Sequence, residues 1–130
     1  MTSRFLPLSL PLVIAVLAAI VVSPAAAAYR IEPSPALTAA LEEAVRRQVA
    51  EPAAAISHRW VLRDEIESGI IGCGLVTLAD GSARPYRVLV MREGTDGFIP
   101  LGAFVSRGDD AAFYRAAPDC DPAARHQPPR

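Results

Sequence analysis

The spacing of apolar residues changes once along this chain, and that change restricts what it can fold into. Four apolar residues first recur every fourth position, which predicts one amphipathic helix. They are Leu37, Leu41, Val45 and Val49. Ser34 and Pro35 form a typical N-cap and first helical residue, and Pro52 ends the helix near Val49 or Ala50.

From Ile56 onward the period becomes two, which is the period of strands with one face in solvent. The predicted strands begin at Ile56 and continue as Ile70–Ala79, Tyr86–Arg92 and Phe98–Val105. Pro100 places the last of these at a sheet edge, and a helical turn is expected at Ala111–Ala116. The predicted class is α+β, with one N-terminal helix on an antiparallel meander of about four strands. We expect the only tryptophan, Trp60, to anchor the core between helix and sheet.

Residues 1–28 have the three parts of a secretory signal. Arg4 is followed by an apolar run, and Ala25–Ala28 supply the small residues that a signal peptidase requires. The competing interpretation is a retained membrane anchor, but Pro7 and Pro11 shorten the uninterrupted run to about half of the roughly 20 residues that span a bilayer. We therefore expect a periplasmic or secreted protein that begins near Tyr29 and has no membrane association after cleavage.

Charge and cysteine content limit what the exported part can be. The net charge of the chain is −1, and loss of residues 1–28 removes one arginine and no acid, which argues against a nucleic-acid partner. The two cysteines, Cys73 and Cys120, predict one disulfide in an oxidising compartment, with two buried free thiols as the alternative. The predicted organisation is a domain over 29–120 and a disordered, proline-rich tail over 121–130.

Two short elements resemble a family of short exported bacterial proteins, most of which have no assigned function. Glu51-Pro52-Ala53-Ala54-Ala55 is similar to the family's Asp-Pro-x-Ser-Ala element, and Cys73-Gly74-Leu75-Val76 to the start of its Cys-Gly-x-Val-Asn-x-Lys hairpin. Thr77 and Ala79 stand where the family has Asn and Lys, and no Gly-Gly precedes Tyr86. The resemblance implies a fold and a compartment, and no reaction.

Candidate sites for catalysis or metal binding are weak, so we predict a protein that is not an enzyme, with no cofactor and no metal. Ser57 and His58 are adjacent on a strand and point to opposite faces, and no third group is evident to complete a catalytic set. The acidic residues lack the alternating spacing and central glycine of a calcium loop, and Arg107-Gly108-Asp109 is interpreted as an ordinary loop. These acids are Asp64, Glu65, Glu67, Asp109 and Asp110.

One candidate binding face remains, made of arginines beside an aromatic residue: Arg59, Arg63, Tyr86 and Arg87. Such a face suits an acidic protein or another envelope partner. The leading hypothesis is thus a binding or accessory module of the cell envelope. The alternatives are a structural or stress-related envelope protein without a small ligand, and a small hydrolase. The sequence leaves the oligomeric state open.

Overall fold

A computed structural model describes residues 28–64 and 69–128. The predicted signal, 1–28, lies outside the described residues except for Ala28. The strands are β1 (Ala28–Ile31), β2 (Ala55–Asp64), β3 (Ile70–Thr77), β4 (Ala83–Glu93) and β5 (Gly97–Val105), and the helices are α1 (Pro35–Val49) and α2 (Asp110–Ala116), followed by a 3₁₀ turn at Pro118–Cys120. The strands form one antiparallel sheet in chain order, so the α+β class is confirmed. Within the described residues, neither helix is long and apolar enough to cross a membrane.

Helix α1 begins and ends as the sequence predicts. The Ser34 hydroxyl accepts the amide of Leu37 at 3.1 Å, and Pro35 occupies the first turn, where its missing N–H costs nothing. Ala50 closes the helix in the left-handed region, with φ of 57°. The buried stripe of α1 packs on one face of the sheet against Val88 and Val90 of β4.

The prediction of an N-terminal helix and about four strands is wrong in two respects. A strand, β1, precedes the helix, and the sheet has five strands. β1 has only four residues, too few to display a period, and it pairs with the end of β2 through contacts such as Arg30 with Leu62. The helix is therefore an insertion between the first two strands of the sheet.

The second face of the sheet is covered as well, by α2 and the C-terminal segment. Phe113 of α2 is buried there, and Cys120 forms a disulfide with Cys73 of β3, which confirms that prediction. Residues 121–128 continue across this face instead of forming a disordered tail, and Gln127 pairs with Tyr29 beyond the outer edge of β1. Trp60 lies on this second face rather than between α1 and the sheet.

Candidate binding site around Trp60

The four residues predicted to form one face are divided between two. Tyr86 and Arg87 are neighbours on β4 and must point to opposite sides of the sheet. Tyr86 is fully buried under α1, whereas Arg87 points to the C-terminal segment. Arg63 is exposed and pairs with Ile70 on the α1 side of the sheet. The predicted set is therefore split in two: Arg59 and Arg87 lie on the second face, and Arg63 and Tyr86 lie on the α1 side.

A β-bulge in β2 brings Arg59 and Trp60 together on the second face. The register between β2 and β3 shifts between His58 and Trp60, so that Arg59 and Trp60 point to the same face, although strict alternation would put neighbouring residues on opposite faces. The Arg59 guanidinium contacts the hydroxyl of Tyr114 and the carbonyl of Cys120, each at 3.4 Å. The bulge thus turns Trp60 to the face on which Arg59 lies.

Two guanidinium groups lie against the indole ring of Trp60. The Cζ atom of Arg30 is 4.8 Å from the ring centroid and that of Arg59 is 5.8 Å away, both within cation–π distance. The indole N–H donates to the carbonyl of Asp119 at 3.1 Å, which fixes the orientation of the ring. We call Arg30, Arg59, Trp60 and Tyr114 the Trp60 cluster.

Only one nearby arginine is neutralised by an acid. Arg87 Nε lies 3.1 and 3.2 Å from the two carboxylate oxygens of Asp119. In the described part of the chain, no carboxylate lies within ion-pair distance of Arg30 or Arg59. Among residues 28–64 and 69–128, the Trp60 cluster therefore carries two positive charges that no carboxylate neutralises.

His126, which lies in the segment predicted to be a disordered tail, forms the border of the Trp60 cluster. Its ring meets Trp60 edge-on, with 4.9 Å between centroids. Both ring nitrogens are buried without a well-formed hydrogen bond among the described residues. Burial lowers the pKa of His126, and the charge of Arg30 adds to this, while the backbone and carboxylate of Asp119 oppose it.

A second polar arrangement, under α1, links three elements through partly buried hydrogen bonds. His58 Nδ1 lies 2.7 Å from the Tyr86 hydroxyl, and Nε2 lies 3.3 Å from Glu42 Oε1. The arrangement fits a tautomer in which Tyr86 donates to Nδ1 and Nε2–H donates to Glu42. Burial, with the negative charge of Glu42, raises the pKa of Tyr86 above its usual value, so the phenol keeps its proton.

This Glu42–His58–Tyr86 chain does not include Ser57, the neighbour singled out in the sequence. Both nitrogens of His58 are engaged, and the Tyr86 hydroxyl is buried, so the contacts account for a structural role that joins α1, β2 and β4. Gly74 makes room for it: a Cβ there would lie 2.8 Å from the Tyr86 hydroxyl and ring. Glu42 follows Leu41 on the border of the apolar stripe of α1, and that position was the available sequence signal.

The acidic candidates serve local structure where the structure describes them. Asp109 caps α2 by accepting the amide of Ala112 at 3.0 Å, and Asp110 accepts the Ser106 hydroxyl at 3.0 Å. The side chain of Asp64 and residues 65–68 lie outside the described part of the chain. Within that part, no three metal-binding side chains gather.

Comparison of the chain with known protein families, with curated proteins and with solved structures found no significant match. The Trp60 cluster is thus the candidate site that the geometry itself provides.

Proposed function

We propose that the chain is an exported protein of the cell envelope that binds an acidic segment of a partner protein through the Trp60 cluster. The observation that carries the proposal is the pair of guanidinium groups held against Trp60 without a carboxylate partner in the described residues. Trp, Tyr and Arg are also the residue types most enriched among those that dominate protein–protein binding energies. Arg30 is exposed, and Arg59, Trp60 and Tyr114 are partly exposed, so a segment of a partner protein can reach all four residues.

Export is supported by the signal-like residues 1–28 together with the disulfide, which persists in oxidising compartments. We expect the mature chain to start at or within two residues of Tyr29, because the small residues end at Ala28. N-terminal sequencing of exported protein measures this directly. Recovery of the chain with Met1 from the membrane fraction would support the anchor instead.

A titration with a glutamate-rich peptide tests the binding proposal. Trp60 is the only tryptophan, so its fluorescence reports on the Trp60 cluster without labelling. We expect a saturable change in emission that weakens with added salt, because exposed charges are screened. Arg59→Gln should weaken the affinity by about tenfold, the usual order for one hydrogen bond to a charged group.

The matched control is Arg107→Gln, which removes the same charge from an exposed loop away from Trp60. Equal affinities for Arg59→Gln and Arg107→Gln would show that net charge, and not the Trp60 cluster, attracts the peptide. An acidic polysaccharide can be tested as a competitor of the peptide. If it binds at a lower concentration than the peptide does, the partner is an envelope polymer and not a protein segment.

A further inference from the structure

The outer edge of β5 combines an unpaired backbone with apolar side chains. β5 is the last strand of the sheet, and no described residue pairs with its outer side. Gly97–Val105 contains no charged residue. The large apolar side chains that are exposed in the described structure all lie on β4 or β5: Met91, Ile99, Leu101 and Phe104. Charged residues normally protect such an edge from pairing with another chain, and β5 has none.

The hydrogen-bond ladder shows which backbone groups face outward. The Ser106 amide donates to the Pro85 carbonyl at 2.9 Å, so the next residue along, Val105, turns its N–H and C=O away from β4. The same alternation turns the backbone of Ala103 outward. Between these two residues, Phe104 is 38% exposed, and its ring contacts Phe113 on the second face of the sheet.

The opposite side of the sheet is not equivalent. β1 is four residues long, and outside it Gln127 exchanges two backbone hydrogen bonds, with Arg30 N–H and with the carbonyl of Ala28. Beyond β1, the exposed stretch of β2 carries the bulge between His58 and Trp60, a feature that blunts an edge. β5 carries two such features as well, Pro100 and a bulge that leaves Leu101 without a partner on β4, so the open part of its edge runs from Gly102 to Val105.

We propose that β5 pairs with β5 of a second copy of this chain, antiparallel, to give a closed two-fold dimer with a continuous sheet. The occupant is a second copy because the edge is self-complementary: a register centred on Phe104 joins Ala103 of each copy to Val105 of the other through paired N–H and C=O groups. No like charges meet in this pairing. A single available edge also ends the assembly at two copies, since growth into a fibre needs a second one.

The charged residues of α1 near β5 are compatible with the proposed two-fold dimer. α1 packs over β5, and Ala44, Arg47 and Gln48 line a groove with Pro100–Ala103. Beside this groove, Glu43 and Arg47 of α1 form an exposed ion pair at 2.6 Å. In the proposed dimer, α1 of each copy brings one acid and one base to this region, so neither positive nor negative charge accumulates there.

Sedimentation velocity of the disulfide-bonded mature protein over a range of concentrations tests the dimer. We expect a monomer–dimer equilibrium in the wild type. Phe104→Lys should weaken dimerisation by about tenfold or more, because it places two like charges opposite each other at the dyad. The control Thr77→Lys adds the same charge at an exposed site on β3 and should leave the equilibrium unchanged.

A cross-link keeps the test independent of any loss of stability from Phe104→Lys. Opposed residues in the non-hydrogen-bonded position of an antiparallel pair have Cα atoms about 4.5 Å apart, which a disulfide can bridge. Phe104→Cys should therefore form a covalent dimer under mild oxidation, and Met91→Cys on β4 should not. A wild-type chain that stays monomeric at its highest soluble concentration overturns the proposal, as does equal cross-linking of the two cysteine variants.

Discussion

Removal of the disulfide by the double change Cys73→Ala and Cys120→Ala should destabilise the domain strongly. The bridge joins residues that are 47 apart in sequence, and the loop-entropy relation gives about 4 kcal/mol for a loop of that length. That figure is an upper value, because an unfolded chain keeps some residual structure. Alanine is the better replacement, since both cysteines are buried and serine would add a buried hydroxyl.

The contacts beside the disulfide determine which part of the domain is destabilised when it is removed. Cys120 ends the 3₁₀ turn whose Asp119 accepts the indole N–H of Trp60 and pairs with Arg87. Without the bridge, these hydrogen bonds alone must hold the turn against the sheet, at a net value of about 1 kcal/mol each. We expect a net loss of about 2–4 kcal/mol in unfolding free energy, and a melting temperature lower by roughly 10–30 °C for a domain of about 100 residues.

Differential scanning calorimetry of the oxidised wild type and of the double variant measures this difference. A reductant should lower the melting temperature of the wild type and leave that of the variant unchanged, which separates loss of the bridge from loss of two sulfur atoms. Limited proteolysis should cut the variant first beyond α2, and Trp60 emission should shift to longer wavelength. Equal melting temperatures, or a C-terminal segment that resists proteases equally in both, would refute the reasoning.

Three further outcomes follow from the contacts. Tyr86→Phe should lower the unfolding free energy by about 1–3 kcal/mol in urea titrations, because it leaves His58 Nδ1 without its donor in a buried site. Gly74→Ala should lower the unfolding free energy by at least as much, since the added Cβ would lie 2.1 Å from a backbone oxygen. Gly102→Ala serves as the control, because a Cβ at Gly102 would meet no atom within 4 Å. The lowered pKa of His126 means that the unfolded state binds its proton first, so stability should fall as pH drops below about 6.5, and His126→Gln should flatten that dependence in the pH profile of Trp60 emission.

The parts of the fold that follow from local signals were predictable. The bounds of α1 depend on Ser34, Pro35 and Pro52, which act within one turn of the helix ends. The four longer strands show their period directly. β1 gave no such signal, because its four residues are stabilised by pairing with residues 30 to 36 positions away.

The candidate site was only partly predictable. Arg59 was predicted to lie beside Tyr86, whereas the aromatic ring that it contacts is that of Trp60. Alternation along β4 puts Tyr86 and Arg87 on opposite faces, which is incompatible with one face that contains both. The bulge in β2 has no clear sequence signal, and without it Arg59 and Trp60 would point to opposite faces. Arg30 could not be assigned to the cluster while β1 was unrecognised.

The disulfide connects the two parts of the proposed function, which are export to an oxidising compartment and binding through the Trp60 cluster. Arg59 contacts the carbonyl of Cys120, and the orientation of Trp60 depends on Asp119, so two of the four members of the Trp60 cluster are positioned by the turn that the bridge holds. In a reducing compartment that turn would be free to leave the sheet, and the two guanidinium groups would lose their fixed spacing. Preorganisation of this kind contributes to affinity by lowering the entropy lost on binding. The proposed binding surface and the proposed oxidising compartment are therefore linked by one bond, and a chain that binds the acidic peptide equally well with and without reductant would contradict that link.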